Sequence, residues 1–310
     1  MTNFGIILAL LVLFYLLGRA ADLAILNIRK ISEELNIKIF FLGLILGFFT
    51  SLPELAIGVN SIVSNVQEIT LGNLLGGIMV LFGLILSISI ILNRKISTDG
   101  KIFTFLPILM YLFLPMLLGL DGRIGIIDGI ILIVVYLLAI YSLYLKHRNS
   151  TPIKLEIIKE SKILKSIFVM ITGLLLVVVL SNLIVRLTVI LLGSFAIPAF
   201  FLGLILFSLG TNLPEIIVTV RSWKRHAKEL SVSNLIGSAM ANVLLIGIFA
   251  SIKNIPVNLN LSYYLLILFT AALFAVLLIF YKTGRQFTRQ EGFALLGVYV
   301  LFLISQIILI

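Results

Sequence analysis

The chain has 310 residues; 61% are hydrophobic, only 12% are charged, and the mean hydropathy is +1.24. A soluble globule cannot cover that much apolar surface with so few charges, which excludes that class and leaves an integral membrane protein. The net charge of +10 raises nucleic acid as a partner, but the placement of the basic residues, given below, argues against it.

A spanning helix needs about 20 apolar residues. Ten runs qualify: 4–26, 39–63, 69–92, 102–119, 124–145, 167–190, 197–220, 232–250, 261–281 and 292–310. They are too long for barrel strands and do not alternate, so the expected fold is all-α. The first run has no small-residue cleavage site and continues to Arg19 and Asp22, which reads as a retained helix rather than a signal peptide. Arg19 and Asp22 are three apart and can pair on one helical face.

Alternate loops fall on opposite sides of the bilayer. The loops at 29–38, 94–101, 146–165, 221–228 and 282–289 hold nineteen of the 23 basic residues. That bias puts these loops inside and both termini outside. His147 and His226 lie in these loops without metal-ligand neighbours and read as solvated. The chain has no cysteine, so it has neither disulfides nor thiolate metal sites.

The basic linker 146–166 is too short for a domain. It separates residues 1–145 from 167–310, and these halves repeat each other. Phe40 to Leu46 recurs letter for letter at Phe200 to Leu206. Next come Thr50-Ser51-Leu52-Pro53-Glu54 and Thr211-Asn212-Leu213-Pro214-Glu215, with one extra residue before the second. Asn73 follows Pro53 by 20 positions, and Asn234 follows Pro214 by 20. These asparagines are expected as helix caps or hinges. Asp128-Gly129 precedes Tyr136 with the same spacing as Glu291-Gly292 before Tyr299, and both acids are expected to cap helices. Five helices per half is an odd number, so the second half is expected upside down relative to the first, a plan that secondary transporters share.

An acid deep in a spanning segment costs upward of ~2.5 kcal/mol, which makes Glu54 and Glu215 functional candidates. Pro53 and Pro214 lack an N–H and crowd the carbonyl four residues back, which frees backbone oxygens near Thr50 and Thr211. Two carboxylates with carbonyls and hydroxyls make an all-oxygen cage suited to hard cations such as Ca²⁺ or Na⁺. Empty, the two acids repel, so Na⁺ or protons must replace a departing Ca²⁺; that competition is the basis of antiport. Small residues after each asparagine allow close helix packing, which can bring Ser238 and Asn242 against the acids.

These motifs resemble the cation/calcium antiporter superfamily, most closely its prokaryotic sodium/calcium exchangers, over essentially the whole chain. The resemblance rests on the two Leu-Pro-Glu motifs with Gly72 to Gly77 and Ser233 to Ser238. It implies that Glu54 and Glu215 share Ca²⁺, that Thr50 and Thr211 supply carbonyls, that backbone carbonyls at Gly47 and Ser208 hold outer Na⁺ ions, and that Ser51 and Ser238 add hydroxyls. It also implies that helices 4–26 and 167–190 slide together across the other eight; the large regulatory loop of eukaryotic members does not fit in the short 146–165 segment. The family usually has serine where Gly77 stands, a polar residue at Leu81, and serine at Asn212; Asn242 takes the matching polar position in the second half. One Na⁺ position, around Ser51, Glu54 and Ser238, keeps its oxygens, whereas its mate around Asn212, Glu215 and Gly77 has fewer. Proton coupling is therefore the rival to Na⁺ coupling, and Mg²⁺ or K⁺ remain open as cargo.

The expected protein is a multi-pass cell-membrane antiporter whose partners are Ca²⁺, Na⁺ or H⁺ and lipid, with no cofactor and no obligatory protein partner. An intramembrane enzyme would show clustered acids, a His-Glu-x-x-His run or a nucleophile with a base, and the sequence has none of these. A channel would carry currents far above exchange rates.

Overall fold

The computed structural model describes residues 3–34, 39–63, 65–93, 95–97, 102–147, 163–192, 198–213, 215–216, 219, 228–283 and 286–309. The helices are α1 (Asn3–Glu34), α2 (Ile39–Thr50), α3 (Leu52–Val63), α4 (Gln67–Met79), α5 (Leu86–Asn93), α6 (Ile102–Leu118), α7 (Ile126–His147) and α8 (Ile163–Leu192). They continue as α9 (Ala199–Phe201), α10 (Ser208–Thr211), α11 (Lys228–Ile252), α12 (Leu261–Thr283) and α13 (Arg289–Ile308). Four short strands, β1 (Lys95–Ser97), β2 (Arg123–Ile124), β3 (Ile255–Pro256) and β4 (Gln286–Thr288), lie between them. Among the described residues, seven helical stretches are long and apolar enough to cross a membrane, and two shorter apolar helices accompany them.

Three expected spans depart from a plain α-helix. The run 39–63 breaks at Ser51, where Pro53 cannot donate to the ladder. The run 69–92 passes through a π-helical stretch, Val80–Ile85, between α4 and α5. A second π stretch, Leu202–Phe207, joins α9 to α10. A π turn is an α-helix holding one extra residue. The second sits in the half that carries the extra residue before Leu-Pro-Glu. The heptapeptide at Phe40–Leu46 is α-helical, while five residues of its identical copy are π-helical. The insertion, and not the local sequence, decides the difference.

The chain forms two compact units, and each draws on both sequence halves. The first comprises Met1–Ile57, His147–Ile197 and Gly210–Ser238. In it, α1 lies against α8 at Gly173, where a Cβ would stand 2.8 Å from the Ala24 nitrogen and 3.0 Å from the Ala20 carbonyl. Leu17, Ala20, Ala24, Leu174, Val177 and Ile184 are buried in this unit. The α2 backbone meets α11 at Gly47 and Gly237; a Cβ on Gly47 would sit 2.4 Å from the Ser238 nitrogen. Small residues replace a hydrophobic driving force here, since lipid is as apolar as leucine.

The second unit comprises Gly58–Lys146, Pro198–Leu209 and Ala239–Ile310. In it, α4 interlocks with residues 199–207 through Gly72, Gly76 and Gly203, each facing a backbone carbonyl where its Cβ would be. Phe82, Phe105 and Phe274 meet edge to face beside this core. β1 pairs with β4 and β2 with β3, both antiparallel.

Asp128 and Glu291 occupy the capping positions expected of them. The Gly125 N–H donates to Asp128 Oδ2 at 2.8 Å, and Glu291 closes a capping box with Thr288. Asn73 and Asn234 do not. Both lie inside helices, α4 and α11, and are fully buried, so the capping expectation fails. Each glycine or serine before the asparagine continues its helix, because tight packing at Gly72 and at Ser233 overrides the local turn signal.

Candidate functional site

Eight of the ten expected site residues belong to the first unit: Gly47, Thr50, Ser51, Glu54, Thr211, Asn212, Glu215 and Ser238. All of the polar ones are buried, Glu54 to 1% exposure and Glu215 to 0%. The two glutamates are near enough to act on each other electrostatically. The contacts cross between halves: the Thr211 side chain faces Glu54, and the Thr50 side chain faces Glu215. Neither carboxylate oxygen of Glu54, nor Oε2 of Glu215, makes a hydrogen bond of good geometry with a described residue, although Thr211 lies close to Glu54.

The helix break at Ser51 organises the oxygens around Gly47. Its carbonyl accepts the hydroxyls of Thr50 at 3.1 Å, Ser51 at 2.9 Å and Ser238 at 3.3 Å. Ser238 also donates toward Glu215 Oε1 at 3.2 Å and lies 3.2 Å from the Thr50 hydroxyl. A single serine of α11 therefore touches a carbonyl and a hydroxyl of the first half and a carboxylate of the second. Hydroxyls that donate to Gly47 keep lone pairs free, so the same groups can turn oxygen toward a cation. Unpaired carboxylate oxygens are costly in a dry interior, and a hard cation offsets that cost.

The remaining two candidates lie in the second unit. The Ser208 hydroxyl donates back to the Leu204 carbonyl at 2.6 Å and to that of Ile205 at 3.2 Å, inside the π stretch. Asn242 donates to the Leu74 carbonyl at 3.4 Å, and its Oδ1 is buried without a partner among the described residues. Gly77 and Leu81 are buried and bring no side-chain oxygen. Sequence reasoning missed the π stretch at Val80–Ile85, for which no motif signals, and the crossed threonine–glutamate pairing, which needs the fold.

Seven helical stretches of spanning length and apolar composition among the described residues, with two buried glutamates close to each other, mark a multi-pass membrane protein. The family described as sodium/calcium exchanger protein matches residues 5–145 and 165–308, and the chain belongs to it. It is 25% identical over 304 residues to an uncharacterised membrane protein of Methanocaldococcus jannaschii, covering 96% of each chain. It is 24% identical to the sodium/calcium exchanger MaX1 of Methanosarcina acetivorans, covering 97% of each. The solved sodium-calcium exchanger NCX_Mj has the same fold, with a TM-score of 0.76 at 23% identity, covering 97% of this chain and 99% of that one.

Proposed function

We propose that this protein is a secondary antiporter of the cell membrane that exchanges Ca²⁺ for Na⁺ at a site shared by Glu54 and Glu215. It does so on ten spanning helices, arranged as two inverted five-helix repeats with both termini outside. The observation that carries the reading is the buried pair of glutamates, each faced by the other half's threonine, with Ser238 linking Glu215 to the Thr50 hydroxyl and the Gly47 carbonyl. Two carboxylates neutralise one Ca²⁺, and the loaded site crosses without net charge. Ser51, Asn212, Ser238 and the Gly47 carbonyl complete the oxygen set. Alternating access moves α1 and α8 together, which their close packing at Gly173 supports. The resemblance to MaX1 and NCX_Mj, both named as sodium/calcium exchangers, agrees with this cargo.

One observation favours a second reading, H⁺ in place of Na⁺. Gly77 and Leu81 remove oxygens that a weakly bound Na⁺ needs and a proton does not. The test is radiolabelled Ca²⁺ uptake into proteoliposomes loaded with Na⁺ at equal pH, beside a set loaded with acid and no Na⁺. Uptake in the Na⁺ set supports the main reading. Uptake only in the acid set selects proton coupling. Absence of uptake in both rejects Ca²⁺ as the cargo.

A further inference from the structure

Two buried polar side chains in the first unit lie outside the expected site. Thr219 is 3% exposed and Asn234 is 0% exposed. Thr219 Oγ1 and both Asn234 amide atoms, Oδ1 and Nδ2, have no hydrogen-bond partner among the described residues. Thr70 Oγ1 and Tyr111 Oη share that condition elsewhere, but in Asn234 both ends of the amide are bare among the described residues. Thr172, Ser251 and Thr270 each donate to the carbonyl four residues back, which is how a helix in lipid silences a hydroxyl. Asn27 and Asn93 do the same with their amides. An amide left bare at such depth costs several kcal/mol unless something occupies it.

Their positions relate to the carboxylate site by helix geometry. Glu215 and Ser238 touch. Thr219 is four residues after Glu215, and Asn234 is four residues before Ser238. Residues four apart share one helical face and differ by about 6 Å in height. Consecutive spanning helices run in opposite directions, so both steps lead toward the same membrane surface. Carried along the helix that the run 197–220 predicts, this spacing puts Thr219 and Asn234 at one level, a single turn from the carboxylates, on the faces that carry Glu215 and Ser238.

The first half has no such layer at the matching register. There the positions are Gly58 and Asn73. A Cβ on Gly58 would lie 2.0 Å from the Phe249 ring, so an aromatic ring occupies the space that the Thr219 side chain takes in the other half.

We propose that Thr219 and Asn234 form a second, uncharged polar layer. It holds the transported cation, still carrying part of its water, one turn from the carboxylates on the side reached by the chain after Glu215. The Thr219 hydroxyl and Asn234 Oδ1 present oxygen to the cation, and Asn234 Nδ2 donates to its remaining water. Such a layer eases release: a cation leaving two carboxylates finds intermediate ligands before bulk water. Because the layer exists in one half only, it serves one membrane face. The inference rests on the exchanger reading above.

The test uses full-length protein in proteoliposomes with one orientation silenced, and measures one-way Ca²⁺ flux from each face. The variants are Thr219→Val, Asn234→Leu, Thr219→Ser, and the Glu54→Gln and Glu215→Gln controls. Thr219→Val and Asn234→Leu are expected to slow flux several-fold at one face only, with Thr219→Ser close to wild type. Their melting temperatures should stay level or rise, since each removes a bare polar group. Wild-type flux at both faces in the two apolar variants overturns the layer, as does equal slowing at both faces with a lower melting temperature, which marks a packing role. Flux that survives both glutamate controls rejects the exchanger reading instead. In that event the Ca²⁺-induced rise in melting temperature decides: a smaller rise in the Thr219→Val, Asn234→Leu double variant upholds the layer, and an unchanged rise overturns it.

Discussion

Glu54 and Glu215 are chemically identical, yet their neighbours differ. Ser238 donates to Glu215, while neither Glu54 oxygen makes a hydrogen bond of good geometry with a described residue. Either Glu54→Gln or Glu215→Gln is expected to abolish Ca²⁺ uptake, because one remaining carboxylate leaves a divalent charge half balanced; filter-assay flux in proteoliposomes measures this. Ser238→Ala removes a hydroxyl shared by Gly47, Thr50 and Glu215, so Na⁺-driven uptake should need a several-fold higher Na⁺ concentration for half its rate. A titration of internal Na⁺ reads that shift, and an unchanged half-saturation would remove Ser238 from the ion path. Both acids and their threonines were legible in the sequence, since a Leu-Pro-Glu core repeated in two apolar runs places a costly acid twice at the same register. The crossed pairing was not, because it depends on how the halves interleave. Asn234 carries the local signal of a cap or hinge, and only its burial inside α11 separates such a residue from an interior one.

Among the elements, the π stretch at Leu202–Phe207 yields a sharp expectation. Removing one residue within it, for example Ile205, returns the segment to α geometry and leaves both flanks in register. That deletion should give protein that elutes as a single species and still transports Ca²⁺. Removing Leu46 from the identical but α-helical copy should abolish transport, since each residue lost from an α-helix turns everything beyond it by about 100°. The glycine contacts between α4 and residues 199–207 are tighter still. A Cβ on Gly76 would lie 2.3 Å from the Leu204 carbonyl oxygen, which cannot move without breaking its helix. Gly76→Val is expected to destabilise the protein by about 1–3 kcal/mol or to prevent folding, read as a lower melting temperature in detergent. Helix positions were legible because apolar runs of spanning length are rare outside membranes. The π turns were not, although the extra residue between Phe200 and Pro214 was visible as a count without a location.

At the scale of the whole molecule, the charge bias and the odd number of helices per half predict opposite orientations for the termini and the linker. The absence of native cysteine makes this easy to check. Cysteines introduced one at a time at Thr2, Asn149 and Ile308 should react with an impermeant maleimide from outside for the first and third and from inside for the second. Labelling of all three from one side would remove the inverted arrangement. The compact units do not follow the halves that the sequence suggests. The units record which helices share glycine-lined contacts, and no pattern along a single chain reveals those contacts.

The two small ladders of the second unit bear on how the protein is made. Ser97 has to wait for Gln286, and Ile124 for Ile255, before either strand finds its partner. At roughly 5–20 residues per second of synthesis, the first of these waits lasts on the order of 10–40 seconds. Through that interval the early helices sit in the bilayer with an open strand edge at their ends, a ready template for a neighbouring chain. Assembly of this unit is thus a late event in translation. A ribosome stalled before β4 leaves an inserted but unfinished protein, and rescue or disposal of that intermediate becomes a task for the cell's insertion machinery.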